Sequence, residues 1–241
     1  MGLLISLIKK EQFNPRIVGI FTNPFYFSRR GLFLAMSEFG KHLQGRLLDI
    51  GCGTKPYEPY LNVQQYVGLE IDTQRSRMTS KADAFYDGTR FPFGDDEFDS
   101  VLANEVFEHV FNPNEFLVEI NRVLKIGGTL LLTVPFVWDE HEQPHDFARY
   151  TSFGLHHLLT QHGFEVVRHR KSVNDIRALF QLLNEYLYKK TYVNNVMLRQ
   201  LLNTLLIAPV TLVGLLVYWI FPSNDDFYLD NIILARKVKN V

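Results

Sequence analysis

The chain has 241 residues, 46% of them apolar and 21% charged, enough for one α/β domain with additions and too few for two full domains. Lys plus Arg number 25 against Asp plus Glu 26, so the formal net charge is −1, and a partner held through phosphate contacts, nucleic acid above all, is not expected. The single cysteine, Cys52, excludes an internal disulfide and any multi-cysteine zinc site and favours a reducing, cytoplasmic compartment.

Met1–Ile8 is apolar, but Lys9 and Lys10 follow the run instead of preceding it, so no signal peptide is expected. Short apolar runs at Arg46–Ile50, Tyr66–Ile71, Ala82–Tyr86, Phe98–Ala103 and Thr129–Val134 lack strict polar alternation and predict strands covered on both faces. Phe116, Leu117, Ile120, Val123 and Leu124 fall at helical spacing and predict a helix over Asn114–Lys125. Asn112-Pro113 or Asn114 starts that helix, and Gly127-Gly128 is expected to stop it. A second helix is predicted over Thr151–His162, with Thr151 or Ser152 as its cap and Gly163 as its terminator. Phe164–His169 and Leu229–Ala235 read as the last two strands. Strands separated by helices imply a doubly wound, mainly parallel sheet whose ligand lies at the carboxyl ends of the strands.

Asp49-Ile50-Gly51-Cys52-Gly53 follows the first strand, and glycines there permit positive φ and close approach of a ligand to the backbone. A plain tight turn, a dinucleotide site and an S-adenosylmethionine site all fit that much. The third glycine that a dinucleotide fingerprint wants is replaced by Pro56. A carboxylate at Asp49 would repel a pyrophosphate and attract the ammonium of a methionine moiety. Glu70, about twenty residues on, suits the hydroxyls of a ribose. Pro56 and Pro59 make the first helix short or irregular.

Leu47-Leu48-Asp49-Ile50-Gly51-Cys52-Gly53-Thr54 resembles the first motif of class I S-adenosylmethionine-dependent methyltransferases, and Gly68-Leu69-Glu70-Ile71-Asp72 their second-strand motif. Asp87-Gly88-Thr89-Arg90-Phe91-Pro92-Phe93, Phe98-Asp99-Ser100-Val101 and Asn104-Glu105-Val106-Phe107-Glu108-His109-Val110 resemble the later segments of the methyltransferase type 11 group, and Arg122 to Gly128 completes the series. The resemblance covers roughly Gly45 to Arg170 and the last strand. It implies an α/β, Rossmann-like doubly wound sheet of seven strands, mostly parallel with an antiparallel last strand. It implies S-adenosyl-L-methionine as cofactor, held by Asp49, Gly51, Cys52, Gly53, Glu70, Ile71, Asp87, Gly88, Asn104 and Glu105. In that reading Glu70 takes the ribose, Ile71 packs on the adenine and Asp87 meets its amino group. Cys52 is a small packing residue there, not a nucleophile.

Pro135–Tyr150 is a long aperiodic loop, and such loops in compact domains are more often functional than idle. His145 is read as a general base oriented by Asp146 or Glu142, against the plainer reading of a polar residue pinning the loop. His141 is the second candidate. With His145 and Asp139 or Glu142 it could clamp a divalent cation, but no ligand geometry is legible and no metal is assigned. Asp146 with Arg149 reads most simply as a salt bridge. Glu108 is expected to bond backbone amides at the start of the following helix. The loop's His141…Pro144-His145-Asp146…Arg149-Tyr150-Thr151 pattern resembles, more loosely, type 11 members found among surface-polysaccharide and glycolipid genes. That implies O-methylation of a saccharide or lipid-linked acceptor at the cytoplasmic membrane face.

Lys171 to Phe227 intervenes where the family has a short hairpin. Ile176, Leu179, Phe180, Leu183 and Leu187 share a helical face, and Leu201–Phe221, free of charge, is about the length of a membrane span. A single crossing is incompatible with a last strand that returns to the sheet, so a helix resting in one leaflet is expected, flanked by basic residues and aided by Gly2–Ile8 with Lys9 and Lys10. Burial of these helices within the chain, or against a second copy in a homodimer, is the plainer alternative. The expected organisation is an N-terminal helical extension over 1–45, a cofactor-binding domain over 46–171 and 227–238, and a hydrophobic helical insertion over 172–226. A nicotinamide-dependent oxidoreductase and a non-catalytic membrane adaptor are the competing functions.

Overall fold

The computed structural model describes residues 8 and 10–241; Gly2–Leu7 and Lys9, part of the expected N-terminal membrane contact, lie outside the described residues. In chain order the elements are α1 (Gly19–Thr22), α2 (Tyr26–Phe39), β1 (Arg46–Ile50), β2 (Gln65–Ile71), α3 (Gln74–Thr79), β3 (Ala84–Tyr86), β4 (Phe98–Asn104), α4 (Pro113–Val123), β5 (Leu124–Pro135), α5 (Ser152–Gln161), β6 (Phe164–Ser172), α6 (Arg177–Thr191), α7 (Val196–Leu202), α8 (Ala208–Val217) and β7 (Asp230–Lys237). They fall into two compact units. One holds Ala35–Phe136, Glu140–Arg170 and Asn231–Val241; the other holds the described residues up to Leu34, Val137–Asp139 and Lys171–Asp230.

The seven strands form one sheet in the order β3-β2-β1-β4-β5-β7-β6. The pairs β1–β2, β1–β4, β2–β3 and β4–β5 are parallel. Leu229 N–H donates to the Ser172 carbonyl at 3.0 Å and its carbonyl accepts from Val137 at 3.2 Å, while Val238 N–H reaches the Gly163 carbonyl at 2.9 Å. β7 therefore starts where β5 and β6 end, and it runs antiparallel to both. Leu47, Leu48 and Ile50 on β1 and Leu130, Leu131 and Leu132 on β5 are buried on both faces of their strands. That explains why these runs carry no polar alternation.

Helix α4 begins with Pro113 at its first position, where the missing N–H costs nothing, and buries Phe116, Leu117, Ile120 and Val123 against the sheet. It stops at Val123, not at the glycines. Leu124 is extended, pairs with Phe98, and opens a twelve-residue strand in which the register shifts between Phe98 and Ser100. Gly127, at φ +78°, sits inside that strand and absorbs the irregularity, so the expected terminator is a bulge residue. Lys237 is buried at the end of β7 and donates to the carbonyls of Asn121 and Leu124 at 2.7 and 2.6 Å and to Asp96 at 2.9 Å. A cation on the last carbonyls of α4 is favourably placed against the helix dipole.

The second unit is helical. Gln181 accepts from Phe27 N–H at 3.0 Å and donates to the Pro24 carbonyl at 3.1 Å, and Asn184 donates to Thr211 at 2.9 Å. A Cβ on Gly214 would stand 2.9 Å from the Phe180 ring, so α8 and α6 approach closely only because that side chain is missing. The expected apolar span begins earlier than Leu201. α7 and α8 are joined by a π-helical segment, Asn203–Ile207, immediately before Pro209, where the ladder must accommodate a residue without an N–H.

Candidate active site

The turn after β1 lies at the carboxyl edge of the sheet. Gly51 and Gly53 have φ of +69° and +49°, which non-glycine residues rarely adopt. A Cβ on Gly51 would stand 2.4 Å from Val106, whereas among the described residues beyond its chain neighbours no atom lies within 4 Å of one built on Gly53. The turn is thus packed on one side and open above Gly53. Gly53 N–H donates to the Glu70 carboxylate at 2.7 Å, tying the end of β2 to the turn. Lys55, itself at φ +56°, pairs with Asp83 at 2.5 Å, and Asp83 also accepts from Gly68 N–H at 2.7 Å. As the two prolines require, the following segment makes only a single 3-10 turn, Glu58–Tyr60.

Asp49 does not stand open at the mouth of the turn, as the sequence suggested. It is 4% exposed, and its carboxylate accepts from the Tyr66 hydroxyl on the neighbouring strand. Burial pushes its carboxyl up to about 7, with the Glu70 charge adding to the rise and Tyr66 opposing it. Burial also raises Glu70, against the Gly53 hydrogen bond. Two neighbouring carboxyls that resist ionisation would be relieved by donors or a cation and further destabilised by an anion. Cys52 is buried beside them, its thiol pushed up to about 12 by burial and then by Asp49, so it packs and does not react.

Farther along this edge, Ile71 is exposed at the end of β2. Asp87 accepts from Thr89 N–H and Oγ1 at 2.9 and 2.6 Å, bonds that lower its carboxyl and shape the loop containing Gly88 at φ +92°. Asn104 closes β4 and accepts from Thr133 Oγ1 at 3.1 Å; Glu105, at φ +55°, donates its N–H to the Thr133 carbonyl at 3.1 Å. The positive φ turns the chain sharply into the 3-10 segment Phe107–His109.

That segment carries the feature the sequence did not disclose. Glu108 is 0% exposed, and neither carboxylate oxygen has a hydrogen-bond partner among the described residues, so it does not bond helix amides as expected. Its main-chain carbonyl instead accepts from Phe147 and Ala148 N–H at 2.9 and 3.3 Å, which draws the loop after β5 over it. His109 Nε2 lies 3.7 Å and His141 Nε2 3.9 Å from Glu108 Oε1, with the two rings edge-to-face at 4.7 Å. His109 Nδ1 is 2.6 Å from the His145 carbonyl, which can only accept, so His109 carries a proton on Nδ1. Burial raises Glu108 well above the carboxylate range, helped by Glu105, and lowers His109.

Of the three residues read as catalytic, the structure joins two. Asp146 accepts from His141 N–H at 2.9 Å, faces His141 Nδ1 at 3.3 Å, and is gripped by Arg149 at 2.6 and 2.7 Å. Burial opposes its ionisation, yet Arg149 and the His141 N–H hold it down at about 2. The carboxylate expected to orient His145 therefore orients His141. The His145 ring is exposed beside Phe147 and contributes its carbonyl, not its imidazole. Glu142 turns away to Arg75, at 2.7 Å.

Residues 48–132 match the profile of a family described as "Methyltransferase domain". This stretch is similar to a methyltransferase domain. The chain is 26% identical over 176 residues to a malonyl-[acyl-carrier protein] O-methyltransferase of Paenibacillus, covering 64% of this chain and 58% of that one. The chain spans about half the length of the curated relatives it matches. Among solved structures, the [4+2]-cyclase SpnF superposes with a TM-score of 0.56 at 20% identity, over 87% of this chain and 82% of that one. A phosphoethanolamine N-methyltransferase 2 of Haemonchus contortus in complex with S-adenosyl-L-methionine superposes at 0.54 and 16% identity, over 95% and 59%. At these identities the likeness is one of fold. The matched stretch contains the glycine turn, Glu70, Asp87 and the Asn104–His109 segment; His141 and Asp146 lie just beyond it.

Proposed function

We propose that the chain transfers a methyl group from S-adenosylmethionine to a hydroxyl of a saccharide or lipid-linked saccharide at the cytoplasmic face of a membrane. The observation that supports the cofactor is the open, positive-φ turn at Gly53 flanked by the neighbouring acids Asp49, buried, and Glu70, half-buried. An ammonium and ribose hydroxyls relieve that pair, whereas a pyrophosphate aggravates it. The cofactor supplies an electrophilic methyl group on a sulfonium. The chain's own work is to seat it through Gly51, Gly53 and Glu70, to close the adenine side with Ile71 and Asp87, and to present the acceptor at the Glu108–His109–His141 cluster.

Membrane contact is supported by α7–α8. Val196–Val217 is 22 residues long, an 18-residue stretch of it has a mean hydropathy of 2.0 and is 28% buried, and it is the one helix among the described residues long and apolar enough to cross a membrane. Leu216 is 70% exposed and Trp219 84% exposed. The Leu229–Ser172 hydrogen bond brings both ends of the insertion together, and residues 218–228 return without forming a helix. Hydrocarbon does not admit such a return, so the helix lies in the interface and does not span it.

Titration calorimetry with S-adenosylmethionine and, separately, NAD tests the cofactor; binding of NAD alone overturns the reading. Incubating membrane and soluble extracts with radiolabelled S-adenosylmethionine and the protein is expected to label the glycolipid fraction. Flotation with anionic phosphatidylglycerol vesicles tests the surface, and Leu216→Glu with Trp219→Glu is expected to abolish co-flotation.

A further inference from the structure

We infer that Glu108, His109 and His141 form a binding site for one divalent first-row transition cation, of the Zn2+ type. The three ligand atoms, one carboxylate oxygen and two imidazole nitrogens, lie within 4.8 Å of one another. Around a zinc ion at 2.0–2.2 Å, tetrahedral ligand atoms stand about 3.4 Å apart, so the Glu108 separations of 3.7 and 3.9 Å need to close by about half an ångström.

Four independent features favour a cation over an accidental cluster. Glu108 is fully buried, and neither of its oxygens has a hydrogen-bond donor among the described residues, so the carboxyl there either stays protonated or is completed by a cation. Both histidines turn Nε2 towards that carboxylate. Both also have Nδ1 against outer groups, the His145 carbonyl at 2.6 Å for His109 and, for His141, Asp146 at 3.3 Å with the Arg149 guanidinium at 3.5 Å. Metal-ligating histidines are characteristically oriented through the far nitrogen in this way. Finally, Asp146 is itself fixed by Arg149 at 2.6 and 2.7 Å, so the outer layer is built as firmly as the inner one.

Two imidazoles and one carboxylate suit zinc, iron or cobalt better than magnesium or calcium, which prefer oxygen. Three protein ligands leave a position for water or for an oxygen of the substrate. Placing the methyl acceptor's hydroxyl there rests on the methyl-transfer reading above; occupation by the cation does not.

The test is uptake of Co2+, with its visible absorption as the signature of tetrahedral nitrogen–oxygen ligation, followed by competition with Zn2+ on the purified full-length chain. One equivalent is expected in wild type. His141→Ala and Glu108→Gln are expected to reduce affinity more than a hundredfold, and Asp146→Asn roughly ten- to a hundredfold through the outer layer. His145→Ala, which leaves the carbonyl in place, is expected to bind as wild type. Thermal melts without metal show whether each variant folds, and loss of the cobalt spectrum in a folded Asp146→Asn keeps the test valid if His141→Ala does not fold. Absence of stoichiometric uptake by wild type, or uptake insensitive to His141→Ala and Asp146→Asn, overturns the proposal. Because the readout contains no methyl donor, its failure is distinct from a failure to bind S-adenosylmethionine.

Discussion

The carboxyl edge of the sheet carries two buried carboxyls, Asp49 beside β2 and Glu108 beyond β4, and they are provisioned differently. Asp49 has a donor from within the chain, the Tyr66 hydroxyl, and burial raises it only to about 7. Glu108 has no hydrogen-bond donor for either oxygen among the described residues, burial raises it well above the carboxylate range, and two imidazole nitrogens face it. The first site is complete as folded and receives its ligand on top of an existing bond. The second has its hydrogen-bonding capacity unfilled, and a ligand that bonds there must also displace the proton that burial holds on Glu108.

The difference can be broken from either end. The largest effect is expected at the incomplete site: His141→Ala should slow turnover roughly 10²–10⁴-fold while S-adenosylmethionine still binds, and His145→Ala should cost much less. Equal losses in both variants, read from steady-state rates, would return the chemistry to His145. Next comes Glu70→Ala. Losing charge-assisted bonds to ribose hydroxyls should cost about 3 kcal/mol, roughly a hundredfold in Kd by calorimetry. An unchanged Kd would mean that Glu70 serves only the Gly53 amide.

Much of this edge was legible beforehand. The glycine turn, Glu70 and the strand succession are written in contiguous residues, because each motif is local and its backbone need is met by one residue type. The bulge at Gly127 was not legible, since a glycine pair after an amphipathic run signals a helix stop unless the pairing of Leu124 with Phe98 is known. The Glu108 cluster was missed for the same reason. His141 reaches it from beyond β5, drawn in by hydrogen bonds from Phe147 and Ala148 to a main-chain carbonyl that no side-chain pattern reveals. Tyr66 could have been found: Asp49 pairs with Gly68 in the parallel register, which puts the side chain two residues earlier on the same face. In the helical unit the face of α6 read from spacing is not the one that packs: Leu179 and Leu183 are exposed, whereas Ala178, Gln181, Asn184 and Glu185 are buried, because the partners of Gln181 and Asn184 lie on α2's approach and on α8.

The complete site gives the two finer tests. Unfolded, Asp49 has its carboxyl near 3.8; folded, near 7. The folded form holds the proton more tightly, so the stability linked to this group is whole below about pH 4 and drains away as pH rises through 7. Asp49→Asn should remove that loss, stabilising the ligand-free protein by about 2–4 kcal/mol at pH 8 in urea titrations while weakening S-adenosylmethionine binding. Tyr66→Phe, the smallest change, should cost about 1 kcal/mol. It should also move the pH midpoint of the stability curve upward, because the lost hydroxyl favoured the ionised carboxylate. A midpoint that stays put in Tyr66→Phe but disappears in Asp49→Asn would show the bond to be dispensable to the titration. The contrast with Glu108 would then rest on burial alone, and the two sites would differ in degree, not in kind.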